Sequence, residues 1–213
     1  TDKKYKLYPY AYLHRNNIPD DLTDFYILHE GFVTVSDEEL KEIDYDEIDE
    51  KSYSKNSNKG FIAIGDKYWV TSIIPPSNRA FRIDIDYKNK YRASYIDSEG
   101  LLLDANSSIE NNVKSIIGAK TVRDIDGYAE SEKIEKFDLV INWGILYWLV
   151  KPMFFILEYF FIFSGNYGYA IILLTILVRI VFFPLNQYAF KSMGKMKVLQ
   201  PEMNRLKELH KND

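Results

Sequence analysis

Apolar and polar residues alternate along the middle of the chain, and this pattern predicts β-strands. Between Phe81 and Lys88 the apolar and the charged residues fall on opposite faces. A period of two is typical of a half-buried antiparallel strand. We expect the apolar face to be buried: Phe81, Ile83, Ile85 and Tyr87. Three further segments have strand character and end at turn residues: 61–64, 68–74 and 91–95. Short strands at this spacing predict a β-sandwich with one solvated face.

The first 58 residues are polar and rich in tyrosine, so their elements are harder to predict. Between Ser36 and Glu50 there are nine acidic residues and one lysine. Such a run is typical of a solvated acidic loop or helix face. It lacks the glycine and glutamate spacing of an EF-hand, so no metal site is expected. Farther along the chain, residues 121–136 are predicted to form a short polar helix.

At Phe137 the chain becomes strongly apolar. Between Asn142 and Phe163 the charged residues are Lys151 and Glu158, which a helix places on one face. Trp143 and Trp148 stand at the beginning of this segment, as expected for anchors at a membrane interface. Two interpretations are open: an amphipathic helix in the plane of the interface, or a second spanning helix. The interfacial one is favoured, because Pro152 and both charges fall near the middle, and Pro152 should kink or interrupt the helix.

The next segment, Tyr167 to Leu185, predicts a transmembrane helix. It holds 19 residues and one charge. At 1.5 Å per residue it is about 28 Å long, close to the hydrocarbon thickness of a bilayer. Three lysines follow it: Lys191, Lys195 and Lys197. By the positive-inside rule the C-terminal end is cytoplasmic, and the β domain then lies on the outer side, which is the periplasm in a bacterium with two membranes.

From about Lys191 onward, Met and Leu recur at steps of three and four residues, which predicts a cytoplasmic amphipathic helix. One proline precedes this segment and another lies inside it. Pro184 is expected to end or kink the spanning helix, and Pro201 to break or restart the amphipathic one.

Arg179 is a charge inside the predicted spanning helix. An arginine at bilayer depth costs about 2.5–3.5 kcal/mol on insertion scales. Snorkelling to the cytoplasmic headgroups would need a reach of about 9 Å, which is long even for arginine. We therefore expect Arg179 to face a hydrated cavity made with other helices, with Thr175 on the same face.

Charge and composition exclude several function classes. Residues 1–140 hold 19 basic and 27 acidic residues, a net −8, and residues 141–213 hold 8 and 4, a net +4. The chain has no cysteine, which rules out thiol catalysis and Cys-ligated zinc, and its three histidines form no ligand pair. No catalytic residues, cofactor or metal are expected, and nucleic acid is not expected as a direct partner.

Two motifs around the apolar helix resemble the YidC membrane protein insertase family. The first is Gly165-Asn166-Tyr167-Gly168, followed by Thr175-Ile176-Leu177-Val178-Arg179 and Phe183-Pro184-Leu185. The second, Ser192-Met193-Gly194-Lys195-Met196 with Leu199-Gln200-Pro201, is similar to the family signature S-M-x-K-M-x-x-L-Q-P. The resemblance is close over residues 137–213 and weaker from Asn58 to Ala119.

The resemblance implies a non-enzymatic insertase that inserts and helps to fold nascent membrane proteins of the bacterial inner membrane. The β region would be part of a periplasmic β-supersandwich, and Arg179 would be the arginine of a hydrophilic substrate groove. Implied partners are nascent membrane proteins, the lipid bilayer, the Sec translocon with its accessory subunits, and the ribosome, recruited by the cytoplasmic lysines.

The expected organisation is a membrane protein with four parts. They are an all-β periplasmic domain at 1–138, an interfacial amphipathic helix at 139–164, a transmembrane helix at 165–190 and the start of a cytoplasmic helical hairpin at 191–213. The chain is expected to be a piece of a longer multi-pass protein. A membrane-anchored periplasmic binding module is the alternative function.

Overall fold

The structure, a computed structural model, describes residues 3–20, 22, 29–77 and 79–209, without the side chains of 195 and 197–209. The chain divides into two compact units, and the division falls between Ile145 and Leu146. The first unit is built of strands with a small helical layer, and the second of two long helices.

The first unit contains eleven strands in its described part. They are β1 (Tyr5–Leu7), β2 (Tyr10–Arg15), β3 (Gly31–Ser36), β4 (Glu39–Ile43), β5 (Tyr53–Ser57), β6 (Gly60–Gly65), β7 (Trp69–Ile74), β8 (Phe81–Tyr87), β9 (Tyr91–Asp97), β10 (Leu101–Leu103) and β11 (Lys114–Ala119). Its helices are α1 (Tyr45–Glu50), α2 (Val122–Ser131) and a 3₁₀ turn at Phe137–Val140. The acidic run between Ser36 and Glu50 thus forms strand β4 and helix α1.

The strands form two antiparallel sheets and a separate pair. The larger sheet has the order β11-β7-β6-β3-β4, the smaller one β2-β9-β8-β5, and β1 pairs with β10. The register of the predicted hairpin places Phe81 opposite Asp97 and Tyr87 opposite Tyr91. The predicted β domain is confirmed.

A first core lies between the two sheets. Phe32, Ile62 and Ile73 of the larger sheet belong to the same buried cluster as Ile83 and Tyr95 of the smaller sheet. The outer face of the smaller sheet is solvated, because the alternate residues of β8 and β9 are exposed or half-buried. This arrangement is the predicted sandwich with one wet face.

The central strands β3 and β6 of the larger sheet are buried on both of their faces, which alternation did not predict. The second face of this sheet packs against α2 and the 3₁₀ turn, where Val35 and Phe61 share a buried cluster with Ile125 and Phe137. All six residues of β3 are buried. Strands covered on both faces lose the period of two, so the run Gly31–Ser36 had no strand signature.

The interior prediction for β8 is correct at three positions and wrong at Tyr87. Phe81, Ile83 and Ile85 are buried, whereas Tyr87 is 46% exposed. Tyr87 is the last residue of its strand, and its ring packs against Tyr91 with centroids 4.6 Å apart. Its cross-strand partner Tyr91 is buried in the core, so Tyr87 covers the edge of the core and stays partly exposed.

An ion pair links the start of β8 to the end of β9. Arg79 donates to both carboxylate oxygens of Asp97 at 2.5 and 2.9 Å, and to the carbonyl of Gly100 at 3.0 Å. Asp97 also accepts from the backbone N–H groups of Glu99 and Gly100. The hydrogen bond from Arg79, with help from these amides, holds the pKa of Asp97 below its usual range.

The lowered pKa of Asp97 makes a contribution to stability that depends on pH. This contribution is complete above the ordinary aspartate pKa of about 3.9, and it is lost as the pH falls through the lower folded-state pKa. We expect Asp97→Asn to cost about 1.5–3 kcal/mol of unfolding free energy at neutral pH. The variant should also lose less stability than the wild type below about pH 4. Urea titrations across pH measure both effects, with Glu110→Gln, an exposed carboxyl, as the control. Equal acid dependence in wild type and Asp97→Asn would contradict the assignment.

The second unit consists of α3 (Tyr147–Ser164) and α4 (Tyr167–Leu209). Three prolines predicted to interrupt helices do not end them: α3 continues through Pro152, and α4 continues through Pro184 and Pro201. The predicted spanning and cytoplasmic helices are therefore one continuous helix. A proline removes one backbone hydrogen bond, and the remaining bonds of the neighbouring turns keep the helix intact.

Candidate functional site in the helical unit

A tight turn joins α3 to α4. Gly165 adopts a left-handed backbone with φ of 67°, and its N–H donates to the carbonyl of Phe161 at 2.7 Å, which closes α3. The side-chain oxygen of Asn166 then accepts from the N–H of Gly168 at 2.7 Å and caps the start of α4. The rings of Phe161 and Tyr167 stack across the turn, with centroids 3.9 Å apart. The chain therefore reverses direction within two residues.

One face of α4 packs against α3. Among the described side chains of α4, Ala170 is fully buried, and the half-buried residues that follow at helical spacing are Leu173, Leu174, Leu177 and Val178. A small residue at this buried position lets the two helices pack tightly. The other side chains of α4 that the structure describes are exposed.

Arg179 and Thr175 lie on the exposed part of α4, four residues apart and so on one side of the helix. The hydroxyl of Thr175 donates to the carbonyl of Ile171 at 2.8 Å. Arg179 lines a shallow hollow of about 310 Å³ together with Ile176, Ile180 and Phe183. The sequence holds no acidic residue between Glu158 and Glu202. The helix thus presents a guanidinium among apolar side chains.

Both helices have the length and composition of membrane-crossing helices. The mean hydropathy over 18 residues is 1.3 in Tyr147–Ser164, and it reaches 2.2 over the most apolar 18 residues of Tyr167–Gly194. This criterion alone does not separate the two interpretations of α3. On α3, the ammonium of Lys151 lies 5.5 Å from the ring centre of Tyr147, and both Lys151 and Glu158 are half-buried.

Two family models together match nearly the whole chain. The model described as the YidC periplasmic domain matches residues 1–156, and the one described as 60Kd inner membrane protein matches residues 159–213. The chain belongs to the YidC family. The predicted location is confirmed by the same matches: the β unit is a periplasmic domain of this family, and the helices belong to an inner membrane protein.

Named relatives agree with the YidC family assignment. The chain is 55% identical to the membrane protein insertase YidC of Pelagibacter ubique, over 100% of the chain and 38% of that protein. It is 37% identical to the membrane protein insertase YidC of Agrobacterium fabrum, over 96% of the chain and 35% of that protein. The one from Rhizobium johnstonii is 38% identical over 88% of the chain and 32% of its own length. The chain therefore spans about a third of the length of the curated relatives it matches.

The remaining residues predicted from the sequence occupy three different environments. Trp148 is 70% exposed on the first turn of α3. Trp143 precedes α3, is half-buried, and donates its indole N–H to the carbonyl of Asp138 at 3.2 Å. Lys191 is exposed on α4, whereas the side chains of Lys195 and Lys197 lie outside the described part of the structure.

Sequence reasoning missed the charged and aromatic outer face of the smaller sheet. There the row Tyr10, Tyr12 and His14 on β2 faces the same side as Arg82 and Arg92. The alternation of β8 indicated that such a face is solvated, but it could not show which strand lies beside it. Exposed tyrosines at alternate positions of β2 were the available signal.

Proposed function

We propose that the full protein to which this chain belongs is a non-enzymatic membrane protein insertase, with nascent inner-membrane proteins as its substrates. The observation that carries the proposal is Arg179, an exposed guanidinium within the apolar part of α4, on a chain of the YidC family. We infer that Arg179 and Thr175 face a hydrated groove completed by further helices of the full protein.

The proposed mechanism needs no covalent chemistry. A polar or acidic segment of a nascent protein must cross hydrocarbon of low dielectric constant. A groove that holds water and one positive charge shortens that path and attracts the carboxylates. The apolar segment that follows then slides along the apolar helix faces into lipid, and its transfer out of water drives release.

The flanking residues would set the depth and orientation of the helices. Trp148, with its exposed ring at the start of α3, is suited to the outer interface, where amphipathic aromatic rings accumulate. In this proposal α3 lies at that interface and carries Lys151 and Glu158 toward the headgroups. Trp143 would add a second anchor next to the β unit.

The lysines Lys191, Lys195 and Lys197 would stay in the cytoplasm and provide a cationic surface for the ribosome. The Sec translocon and its accessory subunits are the other partners that we propose for the full protein. We propose that the four parts of the chain, which end at residues 138, 164, 190 and 213, have different roles in the full protein. The folded β unit itself extends to Ile145.

Proteoliposomes that contain the full protein test the proposed function. The substrate is a single-span protein with an acidic N-terminal tail, synthesised in the presence of the vesicles. We expect protease digestion to leave a protected fragment only where the full protein is present. Equal protection in liposomes without it would overturn the proposal.

A further inference from the structure

The outer face of the four-stranded sheet contains a hollow of about 680 Å³. We call it the outer-face hollow. One wall is the row Tyr10, Tyr12 and His14, which projects from alternate positions of β2. Its floor and opposite wall come from β8 and β9 and the turn between them: Arg82, Asp84, Asp86, Lys88, Lys90 and Arg92.

The aromatic wall is continuous and accessible. The rings of Tyr10 and Tyr12 are nearly parallel, at 9°, with centroids 6.3 Å apart, and the ring of His14 follows at 5.9 Å from Tyr12. Tyr10 is 65% and Tyr12 52% exposed. Large aromatic rings held on a rigid strand offer contact area at a low cost in side-chain entropy.

The hollow is cationic in a unit that is strongly acidic as a whole. Both of its carboxylates are already paired: Arg92 donates to Asp86 at 2.6 Å, and Arg82 donates to Asp84 at 2.9 Å. Lys88 and Lys90 are exposed and have no ion-pair partner within the described residues. The hollow is therefore lined by four cationic and two acidic side chains, although residues 1–140 together carry a net charge of −8. This local reversal of charge selects for anionic ligands.

We propose that the outer-face hollow binds an extended, acidic segment of a translocated polypeptide on the periplasmic side. Its carboxylates would pair with Lys88 and Lys90, and its apolar or aromatic side chains would lie against Tyr10 and Tyr12. The inference rests on the proposed function in one respect: insertion delivers acidic tails to this side of the membrane. The β unit would then hold the tail after it has crossed and reduce its return.

Direct binding tests the proposal. The probe is a fluorescein-labelled peptide of Asp-Ser-Tyr repeats, added to the full protein in detergent and followed by fluorescence anisotropy. Peptides of Lys-Ser-Tyr and Ser-Ser-Tyr repeats serve as matched probes. The test variant is Lys88→Glu with Lys90→Glu, whose side chains are exposed. The matched control is Lys3→Glu, which is exposed outside the hollow. Circular dichroism checks that all variants remain folded.

We expect the acidic peptide to bind the wild type in preference to the two other peptides, and its binding to weaken with added salt. The double variant should bind it about tenfold more weakly, and Lys3→Glu should bind it like the wild type. Equal binding of the three peptides, or an unchanged affinity of the double variant, would overturn the proposal. Displacement by inorganic phosphate alone, or capture of phosphatidylglycerol vesicles without peptide binding, would overturn it in favour of a simple anion or membrane site.

The insertion assay separates the two proposals. A wild-type protein that inserts its substrate but binds no acidic peptide refutes the docking site and leaves the insertase function standing. A wild-type protein that binds the peptide but inserts nothing refutes the function instead.

Discussion

Replacing Arg179 by glutamate is expected to abolish insertion of substrates with acidic tails, and Arg179→Ala to slow it at least about tenfold. Two charges about 4 Å apart interact by about 4 kcal/mol at an effective dielectric constant of 20. Loss of even a part of this attraction changes the rate by an order of magnitude. Arg179→Lys keeps the charge but not the planar guanidinium, so we expect it to retain part of the activity.

The measurement is the rate of appearance of the protease-protected fragment in proteoliposomes that contain the full protein. Ile172→Ala, an exposed apolar position on the same helix, is the matched control and should insert at the wild-type rate. A substrate whose acidic tail residues are replaced by serine should be less sensitive to Arg179→Glu. Wild-type rates for Arg179→Ala with every acidic substrate would remove Arg179 from the mechanism.

Replacing Phe137 by alanine is expected to cost the β unit about 3–5 kcal/mol of unfolding free energy. Phe137 is fully buried, and its ring meets that of Phe61 edge-to-face with centroids 5.1 Å apart. It joins the helical layer to the second face of the larger sheet. Truncation removes apolar burial and leaves a cavity between the two layers.

Urea unfolding monitored by near-ultraviolet circular dichroism gives this free energy. Tyr128→Ala is the control, because Tyr128 belongs to α2 in the same layer and is 43% exposed. We expect the control to change stability by less than about 0.5 kcal/mol. A cost for Phe137→Ala below about 1 kcal/mol would show that the helical layer is not coupled to the sheet.

The β8–β9 hairpin of the smaller sheet could be predicted from the sequence because one of its faces is wet. Polar residues at alternate positions of β8 and β9 identified the strands, the turn and the buried face, apart from Tyr87 at the strand end. Strand β3 carries no such alternation, because its residues are buried on both sides. The pairing of Phe61 with Phe137 and of Arg79 with Asp97 joins positions far apart in sequence, and local patterns hold no information on such contacts.

Arg179 could be found in the sequence because a charge in an apolar run is energetically expensive wherever the helix lies. The residues of the outer-face hollow could not, because a lysine or tyrosine on a solvated strand is ordinary by itself. They become a candidate site only when the pairing of β2 with β9 places the aromatic row beside the cations. The continuity of α4 could not be predicted either. A proline in a sequence suggests the end of a helix, and tertiary context decides whether the helix ends there.

The uninterrupted helix α4 has a mechanical consequence. Its 43 residues extend for about 64 Å, roughly twice the hydrocarbon thickness of a bilayer. A sideways force on the far end of so long a helix tilts the part inside the membrane. Pro184, just over one turn beyond Arg179, lacks the backbone N–H for one hydrogen bond, yet the helix continues through it. A force on the C-terminal end of α4 would therefore reach Arg179 through unbroken helix and swing the guanidinium without unfolding any part of it.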